Sequence, residues 1–586
     1  MRRTQWIAAL AAACAALAGC TSQTNVSMQT SVQAKYTHVW LTVQELWFNT
    51  NSAATPDGTG WNRFPLSTPI TVDLATLTAG SLAQIASSLK VPAGTYTQIR
   101  LIPVDSSAAL TSSAQTAGAQ LNAEADYIDS AGTSHQDPLE LLNPDKGIGI
   151  ATTLTIKASL GALGTPTVTS TTSTNSTQCA LGDQSCMQST TTTPVTAGAS
   201  TSSSTTSRSL ALTVDGAHDL VQFAYGNQIG VLLNPHAAAY DVSTAGTVRG
   251  SIDLTNISSS VESSGAVDVE VAAETLSADG SRHVAVKTAQ VATDGSFVLY
   301  PLLASSSSAS TTTYDLVIHG PQIATVVVKS VPVAVGDPSS TAAVSIGTVA
   351  ARSATPFTFN LTAGSQALPA GALVNLYQTL PASGEVPYLV DQVAIDPFAR
   401  SLLTDEALPS GAIDSGTYVS GGNVALTTST PVQGVSTYLV SAQAPLFSDG
   451  TLLTVLAAPS SGSGPVQVTI PTLVPAAGAA SGSISVTVTP VQAGKYDRGE
   501  LILSHDGAIV QTIAIDSALT QNGGATLQVL GIPGGGSASS FDSAVYYVST
   551  RAWLSSNPAG TLQRQTFTSP VDLSAGSLTG LSVNVD

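Results

Sequence analysis

Metal sites and acid–base centres are built from histidine, cysteine and carboxylate side chains at characteristic spacings. The seven histidines are His38, His135, His218, His236, His283, His319 and His505. They stand singly, with no His-x-His, His-Glu-x-x-His or Cys-x-x-Cys pair, so a zinc ion has no local signature. Each is read as a turn or surface residue, while a site assembled from distant strands stays open. A Gly-x-Ser-x-Gly elbow, a Walker loop and a dinucleotide loop are also missing. The glycine-rich GIPGGGSASS at 531–540 lies among strand-like residues with no helix after it, so it reads as a loop. Carboxylates gather at Glu124, Asp126, Asp129, Asp137, Glu140 and Asp145. Calcium takes oxygen ligands, but the Asp-x-Asp-x-Asp-Gly spacing is absent, and a solvated acidic edge is the simpler reading. Trp40, Trp47 and Trp61 lie close in sequence and read as core packing, with a sugar-stacking platform as the alternative. No catalytic residue, metal ligand or cofactor is assigned.

The first residues decide an address. Met1-Arg2-Arg3 is positive, and Ile7 to Leu17 is an apolar run of eleven residues. A membrane-spanning helix needs about 20, so the run reads as the hydrophobic region of a secretory signal. Leu17-Ala18-Gly19-Cys20 then resembles the lipobox of bacterial lipoproteins. That resemblance implies cleavage before Cys20, a diacylglyceryl thioether on its sulfur and an acyl chain on its new amino group. More than one chain is needed for stable anchoring, and this modification supplies it. Ser22, rather than Asp, at the second mature position favours the outer membrane by resemblance to enterobacterial sorting. Of four cysteines, Cys14 leaves with the signal and Cys20 is the lipid site. Cys179 and Cys186, in CALGDQSC, remain for an oxidising compartment, where a local disulfide is favoured.

The elements that would position any site are short strands. The chain has 586 residues, 10% of them charged, and a net charge of −18. Its 19 basic residues are scattered, which argues against nucleic-acid binding. Ser, Thr, Ala, Gly and Val dominate, and the aliphatic content suits many strands joined by Gly, Pro and Ser turns. Residues 20–33 are polar without a pattern and read as a tether. Val39, Leu41 and Val43 alternate as in a half-buried strand. Leu82, Ile85, Ala86 and Leu89 recur at helical spacing, so one short helix is expected there. Thr97, Ile99 and Leu101 return to strand. Residues 165–209 are a Ser/Thr-rich insertion, too poor in apolar residues to form a core. GELILSHDGAIVQTIAI, with His505-Asp506-Gly507 at its turn, is a hairpin signal. PTLVPAAGAASGS at 471–483 reads as a linker. No repeat of fixed period is visible.

The order VWLTVQELWF, GWNRFPLSTPITVDLATLTAG, LKVPAGTYTQIRL resembles the domain-of-unknown-function 4382 family, which occurs in bacterial lipoproteins. LTVDGAHDLVQFAYGNQIGVLLNPHAAAY resembles its closing segment. The resemblance covers roughly 34–240 and implies a domain without catalytic residues. Thr293-Asp294-Gly295-Ser296-Phe297, with Leu302 and Tyr314-Asp315-Leu316, resembles the carboxypeptidase regulatory-like family. That implies a seven-stranded, transthyretin-like sandwich over 245–350, with Phe297 and Tyr314 in its core and Asp294-Gly295 at a turn.

The expected fold class is therefore all-β, a multidomain array of β-sandwiches with one short helix in the N-terminal domain. The expected segments are 1–19 signal peptide, 20–33 tether, 34–240 first domain, 245–350 second, 351–475 third and 480–586 fourth. The expected function is a lipid-anchored outer-membrane envelope protein that binds, adheres or supports without catalysis. Its partners would be the membrane through the lipid, and a glycan or an envelope protein. Two alternatives remain. A carbohydrate-binding accessory lipoprotein predicts exposed coplanar aromatics. A secreted hydrolase predicts a deep pocket with carboxylates, or His beside Ser or Asp.

Overall fold

The computed structural model describes residues 21–129, 131–157, 208–255, 257, 268–304, 311–362, 370–399, 402–421, 424–432, 437–448, 454–457, 466–469, 473–475, 480–534, 544–567 and 569–586. Cys20, Cys179, Cys186 and most of the Ser/Thr-rich insertion lie outside them. The described chain is all-β, arranged as several two-sheet units with only short helices.

One strand plan recurs four times. In the last unit, setting aside the two-residue strand Val571–Asp572 that pairs with Val545–Trp553, the first strand, Ala480–Pro490, lies between the fourth, Ala525–Gly534, and the seventh, Ser577–Val585. It runs antiparallel to the fourth and parallel to the seventh. The facing sheet runs third, second, fifth, sixth: Ala508–Ala514, Arg498–His505, Val545–Trp553, Gln563–Thr566. The unit before it repeats this, with Thr355–Thr362 between Leu402–Ser410 and Val466–Thr469. Its facing sheet is Tyr388–Ala394, Leu373–Gln378, Thr437–Gln443, Thr454–Ala457. The second unit repeats it again, with Ala245–Asp253 between Ser296–Leu303 and Val344–Ala350. Opposite lie His283–Gln290, Glu270–Leu276, Thr312–His319 and Val326–Val333. Phe297 and Tyr314 are buried in its core. Gly295, at φ +83°, closes the turn before Phe297.

The first unit is an enlarged version. Thr21–Thr30 lies between Ala83–Pro92, antiparallel, and Arg208–Val214, parallel. The facing sheet carries Asn62–Asp73, Tyr36–Asn49, Gly94–Pro103 and Ile148–Ile156. A hairpin, Ala123–Ile128 with Ser134–Glu140, is added to the N-terminal half of Tyr36–Asn49. A register shift between Val43 and Glu45 marks where the pairing of that long strand changes.

Three local expectations differ from the structure. The segment read as a tether is a central strand. Ser22, Thr24, Val26 and Met28 alternate inward, but two of these are polar, so the period was invisible to hydropathy. The expected helix over 82–89 is the strand Ala83–Pro92. Its pairing slips at Val26, which faces Ala86 while Ser27 faces Gln84. This bulge turns Ile85 and Ala86 inward together and imitates helical spacing. The first unit's helices are instead short: Ser112–Ala117, capped by the Thr111 hydroxyl and stopped at Gly118 with φ +101°, and the single turn Gly216–Asp219. Ala480–Pro490 likewise begins inside the stretch read as a linker.

The units are held to one another. Ile413–Thr417, which lies between the third unit's fourth and fifth strands, pairs in parallel with Val326–Val333 of the second. The expected hairpin turns at Asp506-Gly507, both with positive φ, and its tip lies on the first unit. Asp506 carbonyl accepts from Gly149 N at 2.9 Å. A Cβ on Gly149 would lie 2.4 Å from Asp506 Cγ, so only glycine permits the approach. The fully buried Arg100 donates to the Asp506 carboxylate and, at 3.1 Å, to the Lys146 carbonyl. Leu142, Phe223 and Leu232 of the first unit share one apolar cluster with Ala370 and Phe398 of the third and Ile502 and Ile509 of the fourth.

Because Met28 is fully buried in a central strand, Met28→Ala is expected to cost about 2–5 kcal/mol. Denaturant unfolding monitored by circular dichroism checks this; a residue in a tether would give no change.

Candidate functional site

Ionisable side chains converge where the first three units meet. After Arg208–Val214 the first unit turns through Asp215 and Gly216–Asp219. Here two Asp–His pairs form back to back. His218 Nδ1 lies 2.8 Å from Asp215 Oδ2, and His236 Nδ1 lies 2.7 Å from Asp219 Oδ1. The backbone N–H groups of Asp215 and His236 also donate to Asp219 Oδ2, at 3.0 and 2.8 Å. From the second unit, Thr288 donates to Asp215 Oδ1 at 3.1 Å. Lys287, buried, donates to Gln29 of the first unit.

The other nitrogen of His218, Nε2, faces Glu270 Oε1 at 3.9 Å. Glu270 opens the second strand of its unit, between Gln290 and His319 in register. Its Oε2 accepts from Gln290 Nε2 at 2.9 Å. His319 Nε2 lies 3.8 Å from Glu270 Oε1, and His319 Nδ1 lies 3.9 Å from Asp391 Oδ1 of the third unit. The row His218, Glu270, His319, Asp391 thus crosses three units along a cavity of about 260 Å³.

The electrostatics follow from burial and from neighbours. Burial alone would lower His218, but the Asp215 and Glu270 carboxylates raise it to about 10. It is therefore a cation at neutral pH. Burial opposes ionisation of Asp215, yet His218 brings it down to about 2. Burial pushes Glu270 up to about 7, with His218 opposing the rise. Burial, reinforced by the His218 cation, holds His319 down to about 3, so its ring is neutral. Burial lowers Lys287 to about 8. The row can exchange a proton at Glu270 near neutrality. His218, kept protonated, is no general base, and among the described residues no Ser, Thr or Cys lines the cavity. Among the described residues no three His, Cys, Asp or Glu side chains are placed to hold a metal ion.

The sequence-derived candidates fare unevenly. His218, His283, His319 and His505 are buried rather than at the surface: Glu270 of the second unit lies beside His218 and His319, Asp315 of another strand beside His283, and the adjacent Asp506 beside His505. The acidic residues of 124–145 do not form one edge. Glu124 is fully buried and accepts from Gln120 N, Leu121 N and Gln136 Nε2. Asp129 pairs with His135, and Asp137 accepts from Tyr127. Glu140 is paired with Arg564 of the fourth unit. Trp47 is buried, with Arg63 4.0 Å over its ring and Trp61 tilted by 53° beside it. Trp40 stacks on His38. The three do not form a coplanar platform. Glu270 and Asp391 carried no signal in sequence, because the pairs they make come from separate strands; Asp215 stands only three residues before His218, a spacing outside the paired-histidine motifs.

Residues 21–141 match the family model for a domain of unknown function, DUF4382. This is the stretch that forms the added hairpin and most of the first unit. No curated protein matches the chain in sequence. Among solved structures it is similar to a leucine-rich repeat protein from Bacteroides thetaiotaomicron, at 12% identity over 39% of this chain and 26% of that one, with a TM-score of 0.13. It is similar to the Streptococcal ancillary pilin at 8% identity over 58% and 99%, TM-score 0.12. It is also similar to BcpA, the major pilin subunit of Bacillus cereus, at 9% over 58% and 98%, TM-score 0.11. The chain spans about a quarter of the leucine-rich repeat protein's length. Scores of this size do not establish a shared fold, and the architecture rests on the strand pairing.

His319 gives a pH signature. Its folded value, about 3, lies below the ordinary 6.5, so the unfolded chain binds this proton first as pH falls. Stability from this group is complete above about 6.5 and is lost towards pH 3. His319→Gln keeps the site neutral and removes the titrating group. The stability difference between wild type and variant, measured by urea unfolding, is expected to be flat above pH 6.5 and to narrow steadily below it. A constant difference down to pH 4 would contradict this.

Proposed function

We propose that the chain is a rigid, non-catalytic body of the bacterial cell envelope, held to the outer membrane by a lipid on Cys20, that binds, adheres or supports. The observation that carries this reading is where the buried charges go. Arg100 meets Asp506 between the first and fourth units. Glu140 meets Arg564 across the same two units. His218 faces Glu270 between the first and second. Arg352 meets Asp414 through two hydrogen bonds, at 2.7 and 3.0 Å, and so ties the second unit's exit to the third unit's crossing strand. Side chains that an enzyme would direct at a substrate here join one sandwich to the next.

The anchor reading gains a consequence from the fold. Thr21–Thr30 begins one residue after Cys20, so a lipid at that position would seat the first sandwich against the bilayer without a spacer. The hydrolase alternative is weakened because His218, beside Asp215 on the cavity that crosses three units, is held protonated by Asp215 and Glu270. The Trp40, Trp47 and Trp61 platform is weakened by the packing of those rings.

Intact mass and membrane fractionation of the native protein beside Cys20→Ser test the anchor. The expected outcome is acyl mass and outer-membrane partitioning for the native chain, and a soluble, unacylated variant. Two soluble, unmodified forms would overturn it.

A further inference from the structure

A second cavity, of about 440 Å³, lies between the first and fourth units, away from the histidine row. Its size falls in the range of small-molecule sites. Its walls hold an unusual number of buried polar atoms without hydrogen-bond partners: Asn143 Oδ1, Ser549 Oγ, Gln565 Oε1 and all three guanidinium nitrogens of Arg551. Buried polar groups are normally satisfied, so each such atom needs an explanation.

Arg551 fixes the geometry. It is 1% exposed. Phe398 lies 3.8 Å and Phe223 4.2 Å from its guanidinium carbon, so aromatic rings pack on the group. Its N–H bonds lie in the guanidinium plane. The nearest carboxylate oxygen across the cavity, Glu140 Oε2, is 3.8 Å from Nη1, beyond hydrogen-bond reach. Glu140 is already paired with Arg564 through its other oxygen. Ser549 stands two residues before Arg551 on the same strand, hence on the same face of the sheet. Asn143 reaches the fourth unit through its amide nitrogen, 2.5 Å from Ser504 Oγ, which leaves its carbonyl oxygen unmatched.

The chemistry of the walls selects an occupant. Arg551 and Arg564 bring two positive charges, and Glu140 and Asp105 two negative ones, so the lining is balanced and favours neither an anion nor a cation. The unmatched groups include donors (Arg551), acceptors (Asn143, Gln565) and a hydroxyl that is both. Leu142, Ile502 and Leu562 add apolar wall. A ring bearing several hydroxyls on an apolar C–H face meets all three conditions. Ser107, Gln563 and Arg564 of the lining are exposed.

We propose that this cavity binds a neutral saccharide, with Arg551, Ser549, Asn143 and Gln565 as its hydrogen-bonding residues. The inference rests on the reading of the chain as a binding module, and it gives that module a ligand class. It does not depend on the lipid anchor.

The test is titration calorimetry of the Cys20→Ser chain with glucose, galactose, mannose, N-acetylglucosamine and trehalose, beside sodium sulfate and calcium chloride. Ser549→Ala and Gln565→Ala are the variants, since each removes one unmatched atom and leaves the Arg551 stack in place; circular dichroism melting shows that they fold. The proposal expects at least one of the five sugars to bind, no binding of sulfate or calcium, and at least a tenfold loss of sugar affinity in each variant. Binding of sulfate or calcium in place of sugar overturns it. So does sugar binding untouched by both variants, which would lie elsewhere, and so does the absence of any sugar binding, which would leave the cavity to water. Failure of the anchor reading is seen separately, in the fractionation of native protein against Cys20→Ser.

Discussion

A charged side chain taken out of water between two sandwiches must find its counter-charge on the neighbour, because an unpaired buried ion costs several kcal/mol. Arg100 shows what this constraint does. It stands in a strand of the first unit, fully buried, and its carboxylate partner, Asp506, is at a hairpin tip in the fourth. Burial raises the cost of ionising Asp506, but His505 and Arg100 together hold it far below the usual carboxylate range. The ends of a long chain are thereby brought together. Arg551 is the same problem solved with less charge: aromatic rings from the first and third units and Trp553 pack on its guanidinium, and cation–π contacts of this kind gain strength when desolvated. Replacing such pairs by apolar residues need not reduce stability. Their contribution is to decide which faces of the sandwiches meet.

The constraint matters more because the four units are built alike. Each places its first strand between its fourth and seventh and faces that sheet with its third, second, fifth and sixth. Four similar sandwiches present similar outer faces, and apolar contact alone would distinguish poorly among the ways of stacking them. Specific pairs distinguish them: Glu140 with Arg564, Arg352 with Asp414, Lys329 with Glu385. The parallel pairing of Ile413–Thr417 with Val326–Val333 adds a backbone link that fixes the second unit on the third. The two cavities lie at such junctions, where flat sheet faces do not fill the space between them.

Much of this was legible in sequence, and the exceptions have physical reasons. Alternating Val39, Leu41 and Val43 and the turn at Asp506-Gly507 were readable because local pattern and tertiary role agree; the burial of Phe297 and Tyr314 was expected only from a family resemblance. The strand at Thr21–Thr30 was not, since its inward positions include Ser22 and Thr24. The helical spacing at Leu82, Ile85, Ala86 and Leu89 came from a β-bulge, which no periodicity argument detects. The repeated strand plan was hidden because it is carried by pairing order, with loops and insertions of different length in each copy. The histidine row and the Arg551 cavity were out of reach altogether. His218, Glu270, His319 and Asp391 are scattered along the chain, and only the docking of three units makes them neighbours.

Calorimetry of the full chain tests most directly whether paired buried charges make one body of four sandwiches. The account predicts that the wild-type chain melts in a single transition, with the calorimetric and van't Hoff enthalpies in agreement. It predicts that Asp506→Asn, which removes the counter-charge of Arg100, separates an earlier transition belonging to the fourth unit. Several independent transitions in the wild type, with midpoints unchanged in Asp506→Asn, would contradict it.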